Sequence, residues 1–254
     1  MKKFTRLSLL FTLSFGCGAP EDINLGESDQ SIIGGTTDTG DPAVMMLLGM
    51  KPNSNCATLC TATLVAPNVL LTAAHCVSPQ TLGNGITFRV YQNDGVYTKP
   101  LKWEAVKEVK YDTQFNVNRL ELGHDIAVVI LQKPITNVKP VPWNGSAFTQ
   151  SMTTTPTRLV GYGASSGTGA GYGTKRQATT YADSFNSVLL HIGNSQRQTC
   201  TGDSGGPAFM KIGGVETLIG VTSFGYAGCV YGGYDTRVDV YRSQIQSWLS
   251  AASK

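Results

Sequence analysis

The chain has 254 residues, of which 41% are hydrophobic and 15% charged, so it can bury a substantial core and does not have the composition of a disordered protein. Its 29 glycines and 11 prolines exceed average usage and favour many tight turns over a helical bundle or coiled coil. The net charge of +3 comes from scattered basic residues, which argues against a nucleic-acid-binding surface because such a surface needs clustered Lys and Arg.

The N-terminus has the layout of a signal peptide. Basic residues precede an apolar run, 7–15, which is followed by small residues around Cys17. This run is far shorter than the roughly 20 residues that a membrane-spanning helix needs, so an anchoring helix is the weaker alternative. We therefore expect residues 1–16 to direct export.

The residues that lead to Cys17 also resemble the lipoprotein box of bacteria, in which cleavage before a cysteine is followed by lipid attachment to its sulfur. Ser14 stands where that pattern prefers Leu, and Ser14 with Gly16 equally suits an ordinary signal peptidase. Two locations stay open: secretion, or attachment to a membrane of the cell envelope through a lipidated Cys17.

Residues 17–31 are polar, with four acidic side chains and few bulky apolar ones. Such a segment does not build a core, and we interpret it as a propeptide or spacer. Residues 32–254 then form the folded part, as one large domain or two fused barrels.

Short apolar or alternating runs recur between turn signals in the rest of the chain. They are rich in Val, Ile and Thr, and they lie at 44–50, 62–66, 86–91, 126–131, 158–161, 188–192 and 218–224. This spacing favours antiparallel β-structure closed into barrels or a sandwich.

Two segments differ from these strands. Residues 161–173 contain six glycines and predict a mobile surface loop; a phosphate-binding loop is the weaker alternative because no helix beginning with Lys-Ser/Thr follows. Near the C-terminus, Tyr241, Ile245, Trp248 and Leu249 recur at helical spacing. They predict a helix that packs one face against the body.

Three short motifs contain the residue types of a nucleophilic hydrolase. His75 lies in Thr-Ala-Ala-His-Cys, Asp125 precedes an apolar run, and Ser204 lies in Gly-Asp-Ser-Gly-Gly-Pro. Each alone has a structural explanation, but together, in the order His, Asp, Ser, they are far more specific. Ser204 needs a base because its hydroxyl stays protonated at neutral pH, His75 can accept that proton, and Asp125 would hold the required tautomer.

The other two histidines are expected to be structural. His124 is adjacent to Asp125, and neighbouring side chains on an extended chain point to opposite faces, so its ring should not meet that carboxylate. His191 lies on a predicted strand.

With these motifs in order, the chain from Ile32-Ile33-Gly34-Gly35 to the C-terminal helix resembles the chymotrypsin-like (trypsin-fold) serine endopeptidases, bacterial members in particular. Gly161-Tyr162-Gly163 is similar to the family's Gly-Trp-Gly, and Thr222-Ser223-Phe224-Gly225 also matches. The resemblance implies an all-β fold of two perpendicular six-stranded antiparallel β-barrels with a C-terminal helix. It implies a monomeric enzyme that acts on protein or peptide substrates and needs no cofactor or metal.

The resemblance also implies roles for further residues. The backbone N–H groups of Gly202 and Ser204 would bind the oxyanion of the tetrahedral intermediate, and Ser223 would hydrogen-bond the catalytic aspartate. It implies the disulfides Cys60–Cys76 and Cys200–Cys229.

Cys17 and Cys56 remain. If Cys17 is lipidated, Cys56 is an odd thiol; if it is not, a Cys17–Cys56 bridge would tether the propeptide after cleavage.

Ile32 resembles the mature N-terminus of the family. The resemblance implies that cleavage after Ser31 frees the Ile32 amine, which inserts and pairs with Asp203, so the precursor should be nearly inactive. Because Ser31 is neither Lys nor Arg, a trypsin-like activating protease is not expected, and the activating protease is unidentified.

Substrate choice depends on a pocket. Gln198 stands where trypsin-type enzymes have an aspartate that selects Lys and Arg, and Gly225 and Gly233 resemble the wall glycines that leave the pocket open. We expect a preference for large apolar or aromatic residues, with neutral polar residues such as Gln or Met as the alternative.

Two other functions are alternatives to an endopeptidase. A catalytically silent relative that acts as a binding protein would usually lack one member of the triad, and all three are present. An esterase of the α/β-hydrolase kind would have its histidine last in order, whereas His75 comes first.

Overall fold

The computed structural model describes residues 32–52, 57–92, 102–166 and 171–253. Thirteen strands and two α-helices lie within these ranges: β1 Thr36–Thr37, β2 Val44–Met50, β3 Ala57–Ala66, β4 Val69–Thr72, α1 Pro79–Leu82, β5 Thr87–Tyr91, β6 Trp103–Tyr111, β7 Ala127–Leu131, β8 Pro156–Gly161, β9 Arg176–Phe185, β10 Leu189–Ile192, β11 Pro207–Ile212, β12 Val215–Gly225, β13 Gly233–Arg237 and α2 Arg242–Ala252.

The first six strands after β1 close into a barrel in the order β2-β3-β4-β7-β6-β5. Every residue of β4 and β7 is buried, which explains why these strands are short uninterrupted runs of Val, Leu and Ile. Both strands lie beside each other in antiparallel register. The loops at their ends are therefore held on a rigid core.

The second barrel runs β8-β9-β10-β13-β12-β11 and closes because β8 also pairs with β9. β1 is added to the outer side of β9, with Thr36 opposite Gln177. The prediction of two closed six-stranded antiparallel barrels is confirmed.

The C-terminal helix is also confirmed. Ile245 and Trp248 of α2 are buried, as is Tyr241 at its N-terminal end, and all three belong to the core cluster that contains the first-barrel strands. Asn68 of the first barrel donates a 3.0 Å hydrogen bond to the carbonyl of Ala252. Among the described residues, no helix has the length and apolar character needed to cross a membrane.

One prediction is wrong in part. The glycine-rich segment 161–173 does not begin as a surface loop, because Gly161 ends β8 and Tyr162 is fully buried. The Tyr162 hydroxyl donates a 3.0 Å hydrogen bond to the carbonyl of Val44, so this ring ties the second barrel to the first. Residues 167–170 of the segment lie outside the described residues.

The second barrel encloses a carboxyl group that no sequence motif indicated. Asp235 of β13 is 1% exposed, and it stands opposite Leu190 of β10 and Thr222 of β12. The hydroxyl of Thr222 donates a 3.5 Å hydrogen bond to it. Burial raises the pKa of Asp235 to about 8, and the negative charge of Asp203 adds to this effect.

We predict that Asp235→Asn stabilises the protein at alkaline pH. Above the ordinary pKa of 3.8 the unfolded chain releases the proton that the folded protein keeps, so stability falls as pH rises through the folded value. The amide removes this loss. We expect almost no gain at pH ~4 and a gain on the order of 3 kcal/mol at pH ~8, measured by urea unfolding.

Glu108→Gln is the matched control, because Glu108 is an exposed carboxylate on β6. It should leave the difference in stability between the two pH values unchanged. A gain for Asp235→Asn that is equal at both pH values would contradict the burial argument.

Candidate active site

His75 lies in a buried 3₁₀ turn, Ala74–Cys76, that directly follows β4. The disulfide Cys60–Cys76, with a Cα–Cα distance of 6.2 Å, fastens this turn to β3 and confirms the predicted pairing. His75 and the two sulfurs lie close enough to suggest a metal site, but the sulfurs are bonded to each other and are not thiolate ligands. The turn therefore presents one imidazole to the space between the barrels.

Asp125 is fully buried just before β7 and contacts His75 at two points, one on the ring and one on the backbone. One carboxylate oxygen, Oδ2, is 2.7 Å from Nδ1 of His75, and the other accepts the backbone N–H of His75 at 2.8 Å. An acceptor at Nδ1 places the ring proton there and leaves Nε2 with a free lone pair. The ring is thus oriented as a base.

The second barrel holds Asp125 as well. Ser223 of β12 donates a 2.5 Å hydrogen bond to Oδ2, and Thr236 of β13 donates one of 3.0 Å to the Asp125 carbonyl. The structure brings Ser223 to the position that the sequence resemblance implied.

Ser204 lies in the turn before β11 and is 8% exposed. Its carbonyl accepts the N–H of Thr61 at 2.8 Å and contacts Sγ of Cys76 at 3.6 Å, so its backbone packs beside the turn of His75. The Ser204 hydroxyl makes no hydrogen bond with any described residue. The hydrogen bond between a nucleophilic serine and its base is often long until substrate binds.

The glycines around Ser204 are required by the backbone path. Gly202 has a φ of +94°, and at Gly205 a Cβ atom would lie 2.1 Å from the Thr72 hydroxyl. A side chain at either position would be strained or would clash. Within the described part of the chain, the N–H groups of Gly202 and Ser204 donate to no protein acceptor.

Asp203 is fully buried against the segment 161–163. Its carboxylate accepts the N–H groups of Gly163 at 2.7 Å and Cys200 at 2.8 Å, and it forms no salt bridge with a described residue. A Cβ atom at Gly161 would lie 2.1 Å from this carboxylate, which explains the glycine there. Burial raises the pKa of Asp203 to about 7, although the two hydrogen bonds oppose the shift.

Ile32 is fully buried in the core of the second barrel, among residues such as Leu159 and Phe148. The next residue, Ile33, forms an isolated bridge with Gln198, whose N–H points to the Ile33 carbonyl at 3.4 Å. The segment that follows residue 31 is therefore docked beside the loop between β10 and β11, which contains Gln198 and Asp203.

A cavity adjoins Ser204, and its lining is Gln198, Thr199, Cys200, Ser204, Thr222, Ser223, Phe224, Gly225, Tyr226 and Cys229. The predicted pocket residues Gln198, Ser223 and Gly225 are among them. Gly233 does not line it, but it pairs with Gly225 across the sheet. The disulfide Cys200–Cys229 joins two sides of the cavity and confirms the second predicted pairing.

Gln198 is fully buried, and both ends of its amide are bonded to backbone. Its Oε1 accepts the N–H of Gly232 at 3.0 Å, and its Nε2 donates to the carbonyl of Asn194 at 2.8 Å. The residue therefore braces the cavity as well as lining it. Sequence reasoning did not single out Thr199, Thr222 or Tyr226 as lining residues; their only signal was their position beside residues that were predicted.

The remaining two histidines pair with carboxylates other than Asp125. Nδ1 of His124 is 3.0 Å from Asp112, not from Asp125, and His124 has a positive φ of 66°. Nδ1 of His191 is 2.7 Å from Asp183 on β9.

Comparison with known proteins matches residues 32–249 to the family described as Trypsin. Chymotrypsin-like elastase family member 1 of Bos taurus is 28% identical, over 89% of this chain and 92% of its own, and that of Homo sapiens is 28% identical over 79% and 84%. Trypsin beta of Drosophila erecta is 27% identical over 98% of both chains. These relatives are animal proteins and do not support the resemblance to bacterial members in particular. The chain belongs to the Trypsin family and is a serine endopeptidase.

Proposed function

We propose that the chain is an exported serine endopeptidase in which His75, Asp125 and Ser204 form the catalytic triad. The observation that carries this proposal is the two-point contact of Asp125 with His75, through Nδ1 and through the backbone N–H. This contact fixes both the tautomer and the direction of the ring, which a structural histidine does not need.

The geometry supports a mechanism in two stages. Ser204 Oγ attacks the peptide carbonyl while Nε2 of His75 takes its proton, and the carbonyl oxygen becomes an oxyanion facing the N–H groups of Gly202 and Ser204. The imidazolium then gives its proton to the leaving amine, which departs and leaves an ester on Ser204. Water repeats the two steps, with His75 as the base, and releases the acid.

We predict that Ser204→Ala lowers kcat by about 10⁴- to 10⁶-fold with little change in KM, because only the nucleophile is removed. Peptide hydrolysis by protein with a verified Ile32 N-terminus is the measurement. Ser151→Ala, at an exposed serine of the turn Gln150–Thr154, is the control and should keep full activity. Equal activity in Ser204→Ala would contradict the triad, and no hydrolysis by the unaltered protein would favour the silent binding protein.

For activation, we infer that residues 1–16 are a signal peptide, residues 17–31 a propeptide, and Ile32 the mature N-terminus. Two observations support this inference: Ile32 is already buried beside the loop that leads to Asp203, and the fully buried Asp203 carboxylate forms no salt bridge with a described residue, although the charge of Arg176 lowers its pKa. A freed amine at Ile32 would supply a direct ionic partner. Breaking such a buried pair from one side costs roughly 3–5 kcal/mol.

We predict that Asp203→Asn lowers kcat/KM of the processed protein by about 10²- to 10³-fold, because the amine loses its partner. A chain processed one residue early, which begins at Ser31, is the matched control: it has the same N-terminal charge at the wrong position and should be almost as inactive. Full activity of the unprocessed precursor would contradict the activation mechanism.

For specificity, we infer that the pocket takes large neutral side chains on the residue before the cleaved bond. The fully buried Gln198 carries no charge and bonds its amide to neighbouring backbone, and Gly225 adds no side chain to the wall. Apolar or aromatic residues fit best, with Gln or Met as the alternative.

We predict that a mixed peptide library is cut after large neutral residues, and that Gln198→Asp increases the kcat/KM ratio of Lys over Phe peptides by at least about 10-fold, because a carboxylate pairs with the cation. Gln196→Asp places the same charge two residues earlier at an exposed position and should not change the ratio. Preferred cleavage after Lys or Arg by the unaltered protein would overturn the assignment.

The proposal also concerns where the protein is located and what its two remaining cysteines do. Cys17 and Cys56 lie outside the described residues, so lipidation of Cys17 and a Cys17–Cys56 bridge both stay open. A secreted monomer that acts on protein or peptide substrates, or a form attached to the envelope by lipid, is consistent with the family.

A further inference from the structure

His191 has hydrogen-bond acceptors at both ring nitrogens. Nδ1 is 2.7 Å from a carboxylate oxygen of Asp183 on β9, and Nε2 is 2.9 Å from the backbone carbonyl of Tyr231. A neutral imidazole has one N–H and can donate to only one of these acceptors, whereas an imidazolium donates to both. The arrangement is fully bonded only when His191 is protonated.

The carbonyl that His191 holds belongs to the wall segment, residues 226–232, which forms one side of the cavity. Tyr226 and Cys229 of this segment line the cavity, and the N–H of Gly232 donates to Gln198. A Cβ atom at Gly232 would lie 2.9 Å from the His191 ring, so the contact is close.

The backbone of the wall segment needs such support. Cys229 and Tyr231 have positive φ angles of 52° and 66°, a region that side-chain-bearing residues adopt only when their surroundings hold them there. His191 of β10 contacts the wall segment on one side. The disulfide Cys200–Cys229 joins the segment to the chain on the other side.

His191 is also connected, through the ring of Tyr234, to Phe224 in the lining of the cavity. Its ring meets Tyr234 edge-on with centroids 5.0 Å apart, and Tyr234 stacks on Phe224 at 4.8 Å. Phe224 lines the cavity. The His191 side chain thus contacts the wall segment directly, and it contacts Phe224 of β12 through the ring of Tyr234.

We propose that protonated His191 is a positioning residue of the specificity pocket, which holds the wall segment in place, and that loss of its proton loosens this wall so that large neutral side chains bind more weakly as pH rises. The importance of the pocket for substrates rests on the function proposed above. The positioning role itself rests on the two hydrogen bonds and the ring contacts.

Other titratable groups face this region and must be separated from His191. Asp183 approaches it from β9 and Tyr234 from β13, where the Tyr234 hydroxyl meets that of Tyr226 at 3.3 Å. Its hydrogen bond with Tyr226 and its burial raise the pKa of Tyr234 to about 12, so this phenol stays neutral. Asp203 and Asp235 have raised pKa values near neutrality, and the experiment therefore compares variants that keep both.

The test is binding of indole, a neutral probe that does not titrate between pH 5 and 9, to the Ser204→Ala protein by calorimetry. We expect its Kd to rise about 3- to 10-fold from pH 5.5 to 8.5, the loss that one charge-assisted hydrogen bond brings. Adding His191→Gln should abolish this slope, because Gln does not titrate. His124→Asn is the matched control, since it removes another carboxylate-paired histidine and Asn tolerates the positive φ there; it should keep the slope.

The same slope with and without His191→Gln would overturn the proposal, and so would the absence of indole binding at every pH. If His191→Gln does not fold, Asp183→Asn provides the second variant: it keeps an acceptor oxygen for Nδ1 but removes the negative charge that favours the protonated ring, and it should reduce the slope.

Hydrolysis supplies a readout that separates the two proposals. The ratio of kcat/KM for Phe over Ala peptides cancels every pH effect that both substrates share, and it should fall with pH through KM in the unaltered protein but not in His191→Gln. No hydrolysis together with a His191-dependent indole slope would contradict the proposed function and retain the pocket inference.

Discussion

Asp125 is the carboxylate on which the arrangement of the site depends, because it is bound from both barrels at once. The first barrel supplies the ring and backbone N–H of His75 to the carboxylate, and the second supplies the hydroxyl of Ser223 to the same group, while Thr236 donates to the backbone carbonyl of Asp125. A fully buried carboxylate is costly unless its acceptors are used. These bonds meet that requirement only while the barrels keep their relative position, so the charge of one side chain and the geometry of the cleft stabilise each other.

The second barrel contains two further buried carboxyl groups whose environments differ from that of Asp125. Asp203 accepts two backbone N–H groups, whereas Asp235 has one long hydrogen bond from Thr222. Fewer donors leave more of the desolvation cost uncompensated, which is why the pKa of Asp235 is raised further than that of Asp203. Both groups are fully buried, and desolvation is the largest cause of both raised pKa values; hydrogen bonds and neighbouring charges set the difference between them.

Three of the strands that sequence patterns predicted best are those in which burial is nearly continuous. β2, β7 and β12 are apolar runs, and their bounds agree with the prediction within a few residues. β6 and β9 were not predicted because they mix exposed polar residues with buried ones, and the four-residue β4 is too short to stand out. The strand at 62–66 begins earlier, at Ala57, since alternating Thr and Cys obscure its first half. Residues near Ser204 were found through motifs, but Asp235 and the contacts of His191 depend on strand register, which no local pattern contains.

The two ends of the folded chain are exchanged between the barrels. β1, which precedes the first barrel in sequence, pairs with β9 of the second, and α2, which follows the second barrel, packs into the core of the first. Each half is therefore completed by a terminal segment of the other, so neither half should fold as a stable fragment alone. The same exchange opposes hinge opening between the barrels, because separating them would pull a terminal segment out of each half.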